Sequence, residues 1–177
     1  PTPDLPPLQR VIFFPGSTIG NFSPADAVAL LASLRSTVSP GDGLLIGVDL
    51  RKDAAVLECA YNDAAGVTAA FNLNLLQRIN RELSADFDLS RFAHRALWND
   101  GESRIEMHLV SQDSQQVRVG GRAFAFAPGE HILSECSYKF SLEGFAALAG
   151  EAGWQRRQVW TDPQQYFSLQ YFASAGE

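Results

Sequence analysis

Two short apolar runs near the start of the chain enclose a segment with helical spacing. Residues 10–14 and 44–50 are apolar almost without interruption, which is typical of strands buried on both faces of a parallel sheet. Ser23, Pro24 and Asp26 form a helix-start signal, because a serine oxygen accepts a free backbone N–H and proline suits the first turn. The apolar positions of this helix are Ala27, Leu30, Leu31, Leu34 and Val38. The pattern predicts one β–α–β unit whose helix packs on the sheet.

Three further helical segments are predicted. Two of them follow the second strand, over residues 53–61 and 65–83, and the third runs from a capping Ser141 to residue 152. The apolar stripe of the helix over 65–83 consists of Phe71, Leu75, Leu76, Ile79 and Leu83.

Between residues 91 and 140 the spacing changes from helical to alternating. Asn-Asp-Gly at 99–101 and Gly-Gly at 120–121 are hairpin turn signals, because these residues adopt positive φ readily. The predicted strands of this region cover residues 92–98, 104–110, 116–119, 122–126 and 131–138. The region is expected to form an antiparallel subdomain.

The element order predicts an α/β fold, namely the later part of a doubly wound sheet with an antiparallel, strand-rich insertion. Two closing strands are expected at 154–160 and 166–172. The predicted divisions are a linker or boundary at 1–8, the core with its helices at 9–90, the antiparallel subdomain at 91–140, and the closing helix and strands at 141–177.

Composition narrows the class of protein. The chain has 177 residues, of which 46% are apolar and 19% charged, and its net charge of −6 argues against a nucleic-acid binder. It contains no apolar run of membrane-spanning length and no signal segment. The spacing of Cys59 and Cys136, and of the three histidines, fits no metal site. A cytoplasmic protein without a metal is expected.

The glycine turn over residues 16–21 is the first candidate site. It follows a predicted parallel strand and precedes a helix, at the sheet edge where open α/β folds bind ligands. Gly16 lets the backbone approach a ligand, and Asn21 adds an amide donor. An ordinary strand-to-helix turn explains the same residues. Asp49, at the end of the second strand, is expected either to have a function or to pair with Arg51 or Lys52.

A second group of candidates lies later in the chain. Glu135 and Ser137 are two residues apart on a strand, so their side chains share one face and suit a ring that carries N–H groups. A polar solvent-facing surface is the alternative. The phenol of Tyr61 can donate to a carboxylate. A half-buried packing role is the leading alternative for Tyr61, and core packing is the default interpretation of Met107 and Phe71.

Six segments together carry a specific resemblance. Residues 13–21, 61–72, 80–88, 105–107, 135–140 and 160–163 read FFPGSTIGN, YNDAAGVTAAFN, NRELSADFD, IEM, ECSYKF and WTDP. In this order they resemble the histidine Nα-methyltransferases of ergothioneine biosynthesis, over nearly the whole chain after its proline-rich start. The resemblance implies the C-terminal, substrate-binding half of a class I, Rossmann-like methyltransferase.

The resemblance also implies a reaction and a set of site residues. The enzymes of this family use S-adenosylmethionine to convert L-histidine into its trimethylated betaine, hercynine. By position, Asn21 and Tyr61 match residues that hold the substrate carboxylate, and Glu135 and Ser137 match the pair that binds the imidazole. The remaining substrate-binding positions are Gly16 beside the amine, Thr18 in the same loop, and Met107 and Phe71 lining the pocket. Cofactor-binding residues are expected in an N-terminal half that this chain lacks.

Two other functions fit the sequence. One is an S-adenosylmethionine-dependent N-methyltransferase for another aromatic amino acid, and Glu135 and Met107 argue for histidine instead. The other is a non-catalytic amino-acid-binding module without a cofactor half. A sheet that lacks neighbouring strands is also expected to self-associate through its exposed edges.

Overall fold

The computed structural model describes residues 9–174, so the boundary predicted at 1–8 lies outside the described residues. The strands are β1 (Val11–Phe14), β2 (Gly43–Asp49), β3 (Phe92–Asn99), β4 (Arg104–Ser111), β5 (Gln115–Val119), β6 (Arg122–Phe126), β7 (His131–Tyr138), β8 (Trp154–Thr161) and β9 (Phe167–Ser174). The α-helices are α1 (Pro24–Ser36), α2 (Ala54–Tyr61), α3 (Val67–Leu83) and α4 (Leu142–Glu151). Short 3₁₀ turns cover Thr18–Asn21 and Leu89–Arg91.

The chain forms two compact units, and the first contains the described residues up to 51 and from 138 onward. Its sheet has the order β1-β2-β9-β8. The pairing of β1 with β2 is parallel, which confirms the predicted β–α–β unit, and β9 runs antiparallel to both β2 and β8. The core packs α1 and α4 against one face of this sheet and includes Leu31, Ile46, Val48, Phe145 and Phe172.

The first strand differs from its prediction. Ile12 and Phe14 pack against the core, whereas Val11 is 49% and Phe13 63% exposed, so the predicted burial on both faces is wrong. The cause is position, because β1 is an edge strand of the described sheet. A strand buried on both faces and an edge strand with one exposed apolar face have the same uninterrupted apolar sequence.

Helix caps of this unit agree with the sequence. The Ser23 side chain accepts a hydrogen bond from the Asp26 N–H, and Ser141 accepts one from the Gly144 N–H. Both contacts satisfy backbone donors that a first helical turn leaves without a partner. On β2, Gly43 and Gly47 lie under aromatic rings of β9, since an added Cβ would come within 2.5 Å of Tyr171 and 2.7 Å of Phe167.

The second unit covers Lys52–Ser137 and contains α2, α3 and strands β3 to β6, together with β7 up to residue 137. Its antiparallel sheet has the order β3-β4-β7, and β5 and β6 form a separate hairpin. The pairing of β3 with β4 and of β5 with β6 confirms both predicted hairpins. The two helices pack on the antiparallel strands, burying Leu57 and Leu76. By these contacts the two helices belong to the second unit. The predicted division of the chain after residue 90 stays a prediction.

The buried face of α3 is rotated from the predicted stripe. Leu76 is buried as expected, but Phe71 is 60% and Leu83 54% exposed, so the stripe is wrong at both ends. Asn72 takes a fully buried position instead. A buried amide is tolerated when its donors are hydrogen-bonded, and the Asn72 amide donates to the His108 carbonyl at 3.2 Å. Over residues 9–174, no helix is both long and apolar enough to cross a bilayer.

Candidate functional site

The glycine turn follows β1 in the first unit. Gly16 and Ser17 have φ of 75° and 56°, in the left-handed region, and turn the chain into the 3₁₀ segment Thr18–Asn21. Gly16, Thr18 and Asn21 are all exposed. An added Cβ at Gly16 would meet only Thr18 Oγ1, at 3.9 Å. The backbone of this turn is therefore open to an approaching group.

An ion pair with a buried lysine lies at the end of β2, next to this turn. The backbone N–H of Asp49, at the end of β2, donates to Ser17 Oγ at 2.8 Å. The Asp49 carboxylate lies 2.7 Å from Lys139 Nζ, and the lysine side chain is only 2% exposed. The sequence suggested Arg51 or Lys52 as the ion-pair partner and missed Lys139. Continuing the alternation from Glu135 and Ser137 would have singled it out. The pair links the strand end to the segment after β7, where Leu50 bridges Phe140.

Three of the predicted site residues meet in the second unit. The Tyr61 hydroxyl donates to Ser137 Oγ at 2.9 Å, and Ser137 is buried. The Tyr61 ring packs on a buried cluster that contains Met107. Glu135 is half buried on the same strand as Ser137, whereas Phe71 is exposed on α3. Of the eight predicted residues, Gly16, Thr18 and Asn21 belong to the first unit and the other five to the second.

The end of α2 that carries Tyr61 is fixed to the edge strand β3. Asn62 Nδ2 donates to the Ala96 carbonyl and Asn62 Oδ1 accepts from the Ala96 N–H, both at 2.9 Å. The Trp98 N–H donates to Glu58 Oε1 at 2.9 Å. These side chains occupy backbone groups that a further strand would use. Self-association through sheet edges stays a prediction, but at β3 the edge is already bonded.

A charged cluster on β4 was not predicted. Glu106 Oε1 accepts from Arg104 Nη2 at 2.7 Å and from Asn99 Nδ2 at 2.9 Å, and the arginine holds the pKa of this carboxyl below its ordinary value. His108 Nε2 lies 3.2 Å from Glu106 Oε2, and its ring stacks edge-on against His131 with centroids 4.6 Å apart. Burial raises the pKa of the Cys136 thiol. Within the described part of the chain, no group of three or more histidine, cysteine, aspartate or glutamate side chains is placed to hold a metal ion.

Thermal stability is expected to fall as the pH drops below about 6.5, the ordinary histidine value, in part through His108. Burial and the neighbouring His131 lower the pKa of His108, although Glu106 acts in the opposite direction. The unfolded chain therefore takes up this proton first, so the histidine's contribution to stability is present above that pH and is lost toward its lowered pKa.

The measurement is the melting temperature of wild type and of His108→Gln between about pH 7.5 and 5.5. The variant should show the shallower dependence. Glu106 titrates below this range, because its pKa lies under the ordinary 4.5. Equal pH dependence in both proteins would contradict the assignment.

Comparison with known proteins gives consistent results. The model of the family described as "Histidine-specific methyltransferase, SAM-dependent" matches residues 2–174. The histidine N-alpha-methyltransferase of Mycolicibacterium smegmatis is 51% identical over 163 residues, which cover 91% of this chain and 51% of that protein. The Mycobacterium tuberculosis protein of the same name is 47% identical, with the same coverage of both chains. The chain thus spans about half the length of these relatives.

Solved structures support the fold. The CcbJ methyltransferase of Streptomyces caelestis matches with a TM-score of 0.50 at 11% identity, covering 94% of this chain and 62% of that one. An S-adenosylmethionine-dependent methyltransferase from Clostridium acetobutylicum also gives 0.50, at 9% identity, with coverage of 98% and 62%. The α/β methyltransferase fold predicted from the sequence is confirmed. With the family model matching almost every residue, the chain belongs to the histidine-specific, S-adenosylmethionine-dependent methyltransferases.

Proposed function

We propose that the complete protein transfers methyl groups from S-adenosylmethionine to the α-amino nitrogen of L-histidine, giving hercynine for ergothioneine biosynthesis, and that this chain supplies the histidine-binding part. The observation that carries the proposal is the 2.9 Å hydrogen bond between Tyr61 and Ser137. It joins a residue proposed for the substrate carboxylate to one proposed for the imidazole. Membership of the family supports the reaction class. A cytoplasmic location is part of the same proposal.

The proposed contacts hold histidine at both ends. Glu135 accepts an imidazole N–H in a charge-assisted hydrogen bond, which is stronger than a neutral one, and Ser137 binds the same ring. Asn21 and Tyr61 bind the carboxylate, and Gly16 lies beside the amine. Neither end involves the nitrogen that is methylated, so the same anchors serve successive transfers. The other proposed contacts are Thr18 in the glycine turn, and Met107 and Phe71 as apolar lining.

The chemistry of methyl transfer assigns the chain a positioning role. S-adenosylmethionine supplies a methyl group on a sulfonium. The substrate amine must be neutral with its lone pair toward that methyl group, so orientation contributes much of the rate. The exposed backbone at Gly16 fits a small amine, since only Thr18 Oγ1, at 3.9 Å, would come within 4 Å of an added Cβ. We assign the cofactor's own contacts to residues outside this chain.

A second candidate substrate is an aromatic amino acid other than histidine, because one relative is named for such a substrate. The L-tryptophan methyltransferase trpM of Psilocybe serbica is 32% identical over 172 residues, covering 94% of this chain and 47% of that protein. Another aromatic amino acid could therefore occupy the same site. The carboxylate of Glu135 favours histidine, because a charged acceptor suits an imidazole N–H.

The test uses the protein expressed from its complete reading frame. It is incubated with S-adenosylmethionine and either L-histidine or L-tryptophan, and mass spectrometry counts the methyl groups added. Trimethylated histidine is the expected product. Methylation of tryptophan with none of histidine would support the second substrate, and histidine binding without any product would leave a binding module.

The Asn21→Ala variant is expected to weaken histidine binding roughly tenfold or more, the effect of losing a hydrogen bond to a charged group. Histamine, which lacks the carboxylate, should bind wild type and variant equally. Calorimetric titration of both ligands makes the comparison. An equal loss of affinity for histamine would show that Asn21 does not act on the carboxylate.

A further inference from the structure

The carbonyl of Tyr61 is bound by a histidine for which the sequence indicated no role. Nε2 of His94, on β3, lies 2.8 Å from the Tyr61 carbonyl oxygen. A carbonyl only accepts, so Nε2 carries the hydrogen, and Nδ1 is the other hydrogen-bonding atom of the ring. Asn72 Nδ2 lies 2.9 Å from that Nδ1 and donates to it. His94 is thereby held as one tautomer between the end of α2 and the buried face of α3.

The orientation of the Asn72 amide is also determined. Its Nδ2 donates a second hydrogen bond to the His108 carbonyl at 3.2 Å. A flipped amide would place Oδ1 against that carbonyl and against the ring nitrogen, both of which are acceptors. The observed orientation leaves Asn72 Oδ1 buried and, in the described part of the chain, without a partner. A buried acceptor without a partner is unfavourable. The structure keeps this amide orientation for the two bonds that Nδ2 donates, so a role for those two bonds would explain it.

We propose that His94 and Asn72 are positioning residues for the substrate-binding Tyr61. The inference rests on the proposed function, because it takes the Tyr61 phenol as a ligand of the substrate carboxylate. The last carbonyls of a helix have no partner within the helix. Fixing the carbonyl of Tyr61 sets where α2 ends and directs the phenol toward Ser137, 2.9 Å away.

The geometry around Tyr61 gives this role a physical basis. Asn62 fixes the same helix end to Ala96, two residues beyond His94 on β3. The Asn62 contacts hold the backbone after the helix, whereas His94 bonds the tyrosine itself. Loss of the His94 bond should therefore displace the phenol while the contacts at Ala96 remain.

The test compares single and double variants in the protein expressed from its complete reading frame. His94→Leu should raise the KM for histidine roughly tenfold, with kcat changed by less than about twofold. In a Tyr61→Phe background the same substitution should add less than about twofold, because the phenol is already gone. Asn72→Leu should repeat this pattern. His94→Gln, whose amide can donate from the Nε2 position, should restore most of the wild-type KM.

His108→Gln is the matched control, since it changes a buried histidine of the same unit whose side chain does not bond Tyr61. Its KM should equal that of wild type, and melting curves identify any variant that does not fold. An unchanged KM in His94→Leu, or effects of His94→Leu and Tyr61→Phe that multiply independently, overturns the positioning role. If Tyr61→Phe raises the KM in the same experiment, the proposed function stands. An unchanged KM in Tyr61→Phe overturns both the inference and the carboxylate contact.

Discussion

Replacing Asp49 by alanine is expected to lower the free energy of unfolding by about 3–5 kcal/mol, the range measured when one partner of a buried ion pair is removed. The Lys139 side chain is 2% exposed and would lose the carboxylate 2.7 Å from its ammonium. A charge in such a place is poorly solvated. Chemical denaturation of wild type and variant measures the loss.

Replacing the other partner of the ion pair provides the control. Lys139→Met leaves Asp49, whose side chain is 21% exposed and reaches water, so it should cost only about 1–2 kcal/mol. The double variant Asp49→Leu with Lys139→Met should recover most of the stability, because an apolar pair replaces a desolvated one. Equal losses in Asp49→Ala and Lys139→Met would contradict the importance of burial at the lysine.

Glu135→Ala is expected to reduce kcat/KM for histidine roughly 30- to 150-fold, if the carboxylate accepts the imidazole N–H. This corresponds to a loss of about 2–3 kcal/mol of transition-state stabilisation. Glu135→Gln keeps an acceptor but loses the charge, so its reduction should be smaller, roughly tenfold. Steady-state kinetics of the protein expressed from its complete reading frame measure both. Unchanged kinetics in Glu135→Ala would show that this carboxylate does not bind the ring.

Glu102→Ala is the matched control for Glu135. Its side chain is 59% exposed in the same antiparallel region and lies 3.9 Å from Arg104. An exposed ion pair at this distance contributes little, so kcat/KM should stay within about twofold of wild type. A similar loss in both variants would indicate a general effect of negative charge and not a contact with the substrate.

Local signals in the sequence predicted most of the fold. Ser23 and Ser141 cap the helices that they were expected to cap, and the turn at 99–101 joins two paired strands. These features depend on a few neighbouring residues, so short patterns determine them. The exposed side of β1 was not predictable in this way, because the position of a strand in its sheet depends on residues far along the chain.

Contacts distant in sequence were the main omissions at the site. Tyr61 and Ser137 were proposed from the sequence, but their hydrogen bond joins residues 76 positions apart, and no periodicity indicates it. The ion pair of Lys139 with Asp49 and the bond of His94 to Tyr61 were missed for the same reason. Asn72 was not part of the predicted apolar stripe, and its burial shows that the helix presents a different face.

The C-terminal end of α2, which is attached to β3, has two roles. Glu58 and Asn62 cover the strand edge, and the adjacent Tyr61 is a proposed ligand of the substrate. Changes that loosen this helix end would uncover backbone groups able to pair with another molecule. With Tyr61 in its proposed role, affinity for histidine and resistance to aggregation would be coupled at this point, and selection for one would constrain the other.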